Sequence, residues 1–309
     1  MTTVLLTHAA GLDHDMGDGH PERPDRLKAV LKALSGDKFS ALQRTKAPKA
    51  AKDDICRVHP VAYFGALESA APASGLLRLD GDTAMNAGTW EAACRAAGAA
   101  CQAVKLVMDG AASNAFSAMR PPGHHAETSV PMGFCFFNNA AIAARNAQAV
   151  FGAERVAIMD FDVHHGNGTQ EIFWSDPSVL YSSTHQMPLY PGTGAKGETG
   201  EHDSVVNAPL RAGDGGDAFA EAMRTVILPR IDRFKPDLLI ISAGFDAHKR
   251  DPLAQLNLTE DDFAWATGEL MELAARHCKG RTVSLLEGGY DLEGLSRSVA
   301  AHVTALMGA

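Results

Sequence analysis

The stretch Asp160-Phe161-Asp162-Val163-His164-His165-Gly166 sets two carboxylates and an imidazole at alternating positions. An extended backbone would carry all three on one face. Such a set is costly to bury unpaired, and a divalent cation removes the cost. Asp246 ends the nearly apolar run Leu238-Leu239-Ile240-Ile241-Ser242-Ala243-Gly244-Phe245 and can converge on the same point. Two Asp and one His with a fourth position open is the ligand pattern of a catalytic zinc rather than a structural one. Its oxygen-rich character also admits iron(II) or cobalt. Asp-x-His alone is a weak signal, because a capped or solvated turn has the same letters. Its combination with Asp246 and the tandem His124-His125 is much stronger. A pair of loop histidines satisfied by backbone is the plainer account of His124-His125 in isolation, and the other motifs reverse that preference.

These residues need elements to bring them together. Short apolar runs at Val4–Leu6, Ala115–Ala118, Val156–Met159, Val179–Ser182, Leu238–Ser242 and Thr282–Leu286 are expected as strands. Several are apolar at nearly every position, as in a parallel sheet covered on both faces. Helices are expected over Thr89–Met108, Asn139–Val150, Asp217–Phe234, Thr259–His277 and Leu292–Leu306. The fourth opens on a threonine followed by three acids and closes at Lys279-Gly280. Alternating strands and helices imply βαβ units and a mainly parallel sheet, whose sites form at the strands' carboxyl ends. Arg120 to His125, Asp160 to His165, Ser183-Thr184-His185, Gly244-Phe245-Asp246 and Glu287-Gly288-Gly289-Tyr290 each fall after a different expected strand.

The 309 residues suit one large α/β domain spanning 1–309, and 46% hydrophobic with 21% charged residues is an ordinary globular composition. With 37 acidic against 28 basic side chains, the formal charge of -9 speaks against a nucleic-acid partner and suits a basic substrate. Five cysteines without a Cys-x-x-Cys fit reduced thiols and a cytoplasmic location. No run of ~20 apolar residues suggests a membrane span. The oligomeric state is not legible, and a homo-oligomer stays open.

Taken in order along nearly the whole chain, several motifs resemble those of the class II histone deacetylases and their bacterial amidohydrolase relatives. They are His20-Pro21-Glu22-Arg23-Pro24, Pro121-Pro122-Gly123-His124-His125, Gly133-Phe134-Cys135-Phe136-Phe137-Asn138-Asn139, Asp160 to Gly166, Ala243-Gly244-Phe245-Asp246 and Glu287-Gly288-Gly289-Tyr290. The resemblance implies the arginase/deacetylase fold: three α/β/α layers around a mainly parallel eight-stranded sheet. It implies that Asp162, His164 and Asp246 bind one zinc, that His125 is the general base and acid, and that His124 is its electrostatic partner. Tyr290 would donate to the oxyanion; relatives with His there are poor on acetyl groups. Asp160 and Asn167 would be the acceptors that orient His124 and His125, Asn being the class II choice where class I has Asp. Asp160, Ser183 and Thr184, with backbone of Asp162 and His164, would hold potassium. A second potassium would lie near Phe173, Asp176 and Val179. His165 would support the turn rather than the chemistry.

By the same resemblance, Phe134 and Tyr190 wall an acyl-lysine tunnel and Gly133 lets the backbone approach the substrate amide. Tyr190 stands where relatives often have Phe. Leu253 stands where relatives that prefer acetylated polyamines carry an acid, which favours an acyl-lysine peptide or protein over an acylated small amine. Asp82 and Glu22 are expected either at the rim or simply solvated. The rivals are an acetylpolyamine or other small-amide amidohydrolase, an arginase-like enzyme with two manganese ions, and a non-catalytic acyl-amine binding module. The tandem His, the Gly-Gly-Tyr and a one-metal ligand set oppose the arginase, and intact His125 and Tyr290 oppose the binding module.

Overall fold

A computed structural model describes residues 2–308. Its strands are β1 (Thr3–Thr7), β2 (Gln43–Lys46), β3 (Leu77–Arg78), β4 (Ala84–Met85), β5 (Asn114–Ser117), β6 (Val156–Asp160), β7 (Val179–Gln186), β8 (Val205–Leu210), β9 (Leu238–Ala243) and β10 (Thr282–Leu286). Eight of them form one sheet in the order β2-β1-β5-β10-β9-β6-β7-β8, and β3 and β4 form a separate antiparallel ribbon. Every pairing in the large sheet is parallel, so the expected "mainly parallel" sheet is wholly so.

Period-two alternation sorts the strand side chains into two cores. Leu5, Ala157, Met159, Leu239 and Ile241 face a layer that includes helices Pro24–Ala33, Glu260–Cys278 and Leu292–Leu306. Val4, Leu6, Val156, Ile158, Leu238 and Ile240 face the alanine-rich helices Thr89–Met108 and Asn139–Phe151. Small side chains bring these two helices close to the sheet and to each other. Helix Glu260–Cys278 begins with a capping box between Thr259 and Asp262.

Six of the eight strands lie where the apolar runs predict them. The other two are edges. β2 reads Gln-Arg-Thr-Lys and is largely exposed, so it has no apolar signature. β8 contains Pro209, which an edge strand tolerates because one side of its backbone needs no ladder partner. The helix expected over Asp217–Phe234 is interrupted: Gly216–Ala222 and Leu228–Phe234 flank a π-helical turn at Met223–Ile227. Pro229 lacks the N–H that would continue an α ladder through this turn. Helices Pro24–Ala33 and Val61–Ala70 also carry no expectation from the sequence. Among the described residues no helix is long and apolar enough to cross a membrane.

Candidate functional site

The five central strands β5, β10, β9, β6 and β7 deliver their carboxyl ends to one rim of the sheet. Four of the expected segments follow a strand there. The fifth, Ser183-Thr184-His185, lies inside β7 rather than after it, because β7 continues to Gln186. Asp160 is the last residue of β6 and pairs in register with Ser183.

Beyond Asp160 the chain leaves the sheet, so convergence of Asp162 and His164 comes from the loop rather than from strand alternation. His164 Nδ1 lies 3.2 Å from Asp162 Oδ1 and 3.1 Å from Asp246 Oδ2. One ligand atom from each residue falls within 4.8 Å of the others, and all three residues are buried. Backbone amides fix the carboxylates: His164 N and Gly288 N donate to Asp162 at 2.9 and 2.8 Å, and Val163 N donates to Asp246 at 2.8 Å. Gly288 must be glycine, because a Cβ there would sit 2.2 Å from the Asp246 carboxylate.

The charge balance of this pit is poor without a cation. Burial and the neighbouring Asp162 push the Asp246 carboxyl up to about 7. Against its own burial, the two carboxylates hold the His164 imidazole up at about 10. Two carboxylate oxygens and one imidazole nitrogen converging in this way fit a zinc-type ion with an open position.

The two histidines of the tandem are 4.0 Å apart, centroid to centroid, yet their surroundings drive them in opposite directions. His124 Nδ1 meets Asp160 Oδ2 at 3.0 Å. Although burial opposes it, the carboxylates of Asp160 and Asp162 hold His124 well above the usual range. His125 Nδ1 meets Asn167 Oδ1 at 2.8 Å. The Asn167 amide nitrogen donates to Glu127 at 2.9 Å, so its oxygen must face His125. His125 Nδ1 therefore carries the hydrogen and Nε2 the free lone pair. Burial, together with His124 and His164, holds His125 well below the usual range, as a neutral base.

His125, His164 and Tyr290 open onto a cavity of ≈ 250 Å³, with Gly133, Phe134, Tyr190, Leu189, Leu253 and Asp82 completing its lining. Phe134 stands edge-on to Tyr290 at 5.9 Å, and Tyr190 edge-on to His125 at 5.2 Å. Gly133 has a φ of +55°, and a Cβ on it would meet the His125 ring at 2.5 Å. Burial keeps the Tyr290 hydroxyl protonated, despite the Arg26 guanidinium 4.9 Å from its ring.

The zinc, histidine and tunnel candidates thus gather at the rim, though not all line the cavity, whereas Phe173, Asp176 and Val179, expected near a second potassium, lie at or before the first residue of β7, at the opposite end of that strand. Ser183 Oγ is 2.8 Å from His185 Nδ1, and Thr184 is buried beside it in β7, behind the carboxylates. His165 is held by Thr193 and Gln170 and does not line the cavity. Asp82 is at the cavity wall, but Glu22 is neither at the rim nor solvated. It is fully buried, paired with Arg120 and with Arg26 at 2.8 Å. Sequence reasoning overlooked Glu127, which orients Asn167, and Tyr181, whose hydroxyl reaches Asp160 at 3.2 Å. It also gave no role to Arg26. Nothing in their local sequence marks these residues, since their partners are distant along the chain.

Residues 20–306 match the histone deacetylase domain. The chain belongs to the histone deacetylase family, and is accordingly a hydrolase of the deacetylase/amidohydrolase kind, acting on acyl amides. It is 41% identical to the histone deacetylase-like amidohydrolase of Pseudomonas aeruginosa, covering 88% of this chain and 73% of that one. It is 40% identical to the chloroplastic histone deacetylase 14 of Arabidopsis thaliana, covering 99% and 77%. The crystal structure of the HDA15 HD domain superposes with a TM-score of 0.94 at 38% identity, over 99% of this chain and 88% of that one.

Proposed function

We propose that the protein is a zinc-dependent hydrolase that removes acyl groups, acetyl foremost, from lysine side chains of peptides or proteins. One observation carries this reading: a neutral histidine, a protonated tyrosine and a metal-type ligand meet at one aromatic-walled cavity. The lysine methylenes run between Phe134 and Tyr190, with Gly133 beside the amide. Asp162, His164 and Asp246 would hold the zinc, which when bound would supply Lewis acidity at the carbonyl and water. His125 Nε2 takes the water proton as the C–O bond forms, then delivers it to the lysine nitrogen as the C–N bond breaks. Tyr290 donates to the carbonyl oxygen as negative charge gathers there. His124, locked to Asp160, holds positive charge beside that centre. Potassium fits behind it, where Asp160 and Ser183 are register partners with Thr184 next in β7. All five cysteines are unpaired, which supports a reducing, cytoplasmic location.

Asp82 on the cavity wall favours a second reading, an acylated small polyamine whose free ammonium meets that carboxylate. Zinc-loaded protein assayed on an acetyl-lysine peptide and on N-acetylputrescine decides between the two. Faster peptide turnover, strongly reduced but measurable in both His125→Ala and Tyr290→Phe and blocked by a simple hydroxamate, is expected. Faster polyamine turnover sinks the first reading, and unchanged hydrolysis in both variants sinks the mechanism.

A further inference from the structure

Tyr290 follows Gly289, whose φ of +120° is a conformation that few side chains adopt. A hydroxyl at the end of a long side chain on such a link is placed only as well as the peptide group that carries it. That peptide group is gripped at both edges. Arg26 Nε donates to the Gly289 carbonyl at 2.6 Å, and the Tyr290 N–H donates to Asp251 Oδ2 at 2.7 Å. The same oxygen receives Asp291 N at 3.4 Å, where Asp291 caps helix Leu292–Leu306. The other oxygen, Oδ1, receives Leu253 N at 3.0 Å. Asp251 is buried, and its carboxylate takes no part in the metal ligand set or in the histidine pair. Of the three residues whose amides it accepts, Leu253 and Tyr290 line the cavity.

We propose that Asp251 is a positioning residue for Tyr290: its carboxylate clamps the Tyr290 backbone amide and so aims the hydroxyl at the developing oxyanion. This rests on the hydrolase reading above, in which Tyr290 is the oxyanion donor. A donor of that kind works only within a narrow distance of the oxyanion, and a misplacement of about 1 Å can cost about a hundredfold. An amide N–H to a carboxylate is charge-assisted and short, which makes it a stiff restraint. Asparagine cannot replace it, because a single oxygen cannot serve Leu253 on one side and Tyr290 on the other while its NH2 faces an N–H.

The test uses full-length, zinc-loaded protein and the variants Asp251→Asn, Tyr290→Phe and the double substitution. The chain has four tyrosines, so selective 15N-tyrosine labelling gives four backbone amide signals, and Tyr290→Phe identifies the one from Tyr290. In Asp251→Asn that signal is expected to move upfield and exchange faster with solvent while the other three stay in place. On an acetyl-lysine peptide, kcat is expected to fall by up to about a hundredfold, with KM changed far less. In the Tyr290→Phe background the same substitution should cost less than about twofold, because the group it aims is gone. Asp251→Ser serves if the Asn variant does not fold. An unmoved Tyr290 signal overturns the clamp. An equal loss of kcat with and without the tyrosine hydroxyl overturns the link to catalysis. Failure of the wild type on every acyl amide overturns the hydrolase reading, and the amide signal still decides the clamp.

Discussion

Two clusters of buried charge lie on either side of the Glu287–Tyr290 segment, and they are built on opposite plans. In the first, Glu22 is paired with both Arg26 and Arg120, with Arg120 Nη2 at 2.6 Å and His14 Nε2 at 3.3 Å. Four further guanidinium hydrogen bonds go to the carbonyls of Gly11, His14, Glu287 and Gly289. Fixed guanidinium groups outnumber the one carboxylate, so this cluster calls for no added cation. In the second, Asp162 and Asp246 face each other with only His164 between them. Among the described residues no Lys or Arg pairs with either carboxylate, and the one further ion-pair partner is the His124 imidazole, 3.8 Å from Asp162. A protein that supplies fixed guanidinium groups to a buried carboxylate in one place, and leaves two facing carboxylates with only imidazoles beside them at a cavity, has built a frame in the first and a cation site in the second.

Breaking the anionic cluster should have the largest effect. Asp246→Asn removes a ligand, and activity is expected to fall by at least about a thousandfold, the scale of several kcal/mol of carbonyl polarisation. The same change relieves carboxylate repulsion, so the metal-free variant should melt no lower than metal-free wild type. Bound-zinc analysis with calorimetry checks both halves, and a variant that keeps zinc and activity would remove Asp246 from the ligand set. Breaking the closed cluster should act on folding instead. Glu22→Gln strands two buried guanidinium groups and is expected to cost about 3–5 kcal/mol in urea unfolding. The deficit relative to wild type should be the same with zinc as without it. A loss below about 1 kcal/mol would show that the arginines find other partners.

Zinc itself should distinguish the clusters at smaller scale. Wild type is expected to gain about 2.7 kcal/mol at zinc a hundredfold above its Kd, through binding to the folded state alone. Asp246→Asn should gain almost nothing, while Glu22→Gln should gain as much as wild type. Equal gains in all three proteins would mean that the stabilising zinc binds elsewhere.

The two clusters also differ in how far the sequence discloses them. Asp162 and His164 are two apart and Asp246 ends an apolar strand, so local spacing and topology are enough to bring them together. The pairing of Glu22 with Arg120 spans 98 residues and depends on helix Pro24–Ala33 packing under the Glu287–Tyr290 segment. From spacing alone Glu22 reads as rim or solvent. The same contrast holds for the sheet. Central strands such as Leu238–Ala243 are buried on both faces and are legible as apolar runs, whereas Gln43–Lys46 and Val205–Leu210 become strands only because a neighbouring edge accepts them. Asn167 is legible from the family pattern, but the Glu127 that turns its amide is not, because only the folded loop brings them to 2.9 Å.

A third buried polar group follows neither plan, and it yields the smallest expected effect. His302 lies under the rings of Phe116, Phe161 and Phe245, with Nδ1 2.6 Å from Thr267 Oγ1 and Nε2 2.8 Å from Ser284 Oγ. It has hydroxyl partners and, among the described residues, no counter-ion, so burial holds it neutral and pushes its pKa down from 6.5 to about 3. The unfolded chain takes up the proton near 6.5 and the folded chain does not. Between these values the unfolded state binds more protons, so stability rises with pH and is lost as pH falls from 6.5 toward 3. One such histidine contributes a slope of about 1.4 kcal/mol per pH unit within that window. His59, His165 and His185 are depressed too, to about 4, 3 and 4, and steepen the total in the same direction. His302→Gln keeps a donor and an acceptor for the two hydroxyls but has no proton to gain. Its urea midpoint should therefore fall less than that of wild type between pH 6.5 and pH 4.5. Parallel slopes for the two proteins would mean that His302 is protonated in the folded state, and that this apolar pocket tolerates a charge that the frame around Glu22 neutralises with two arginines.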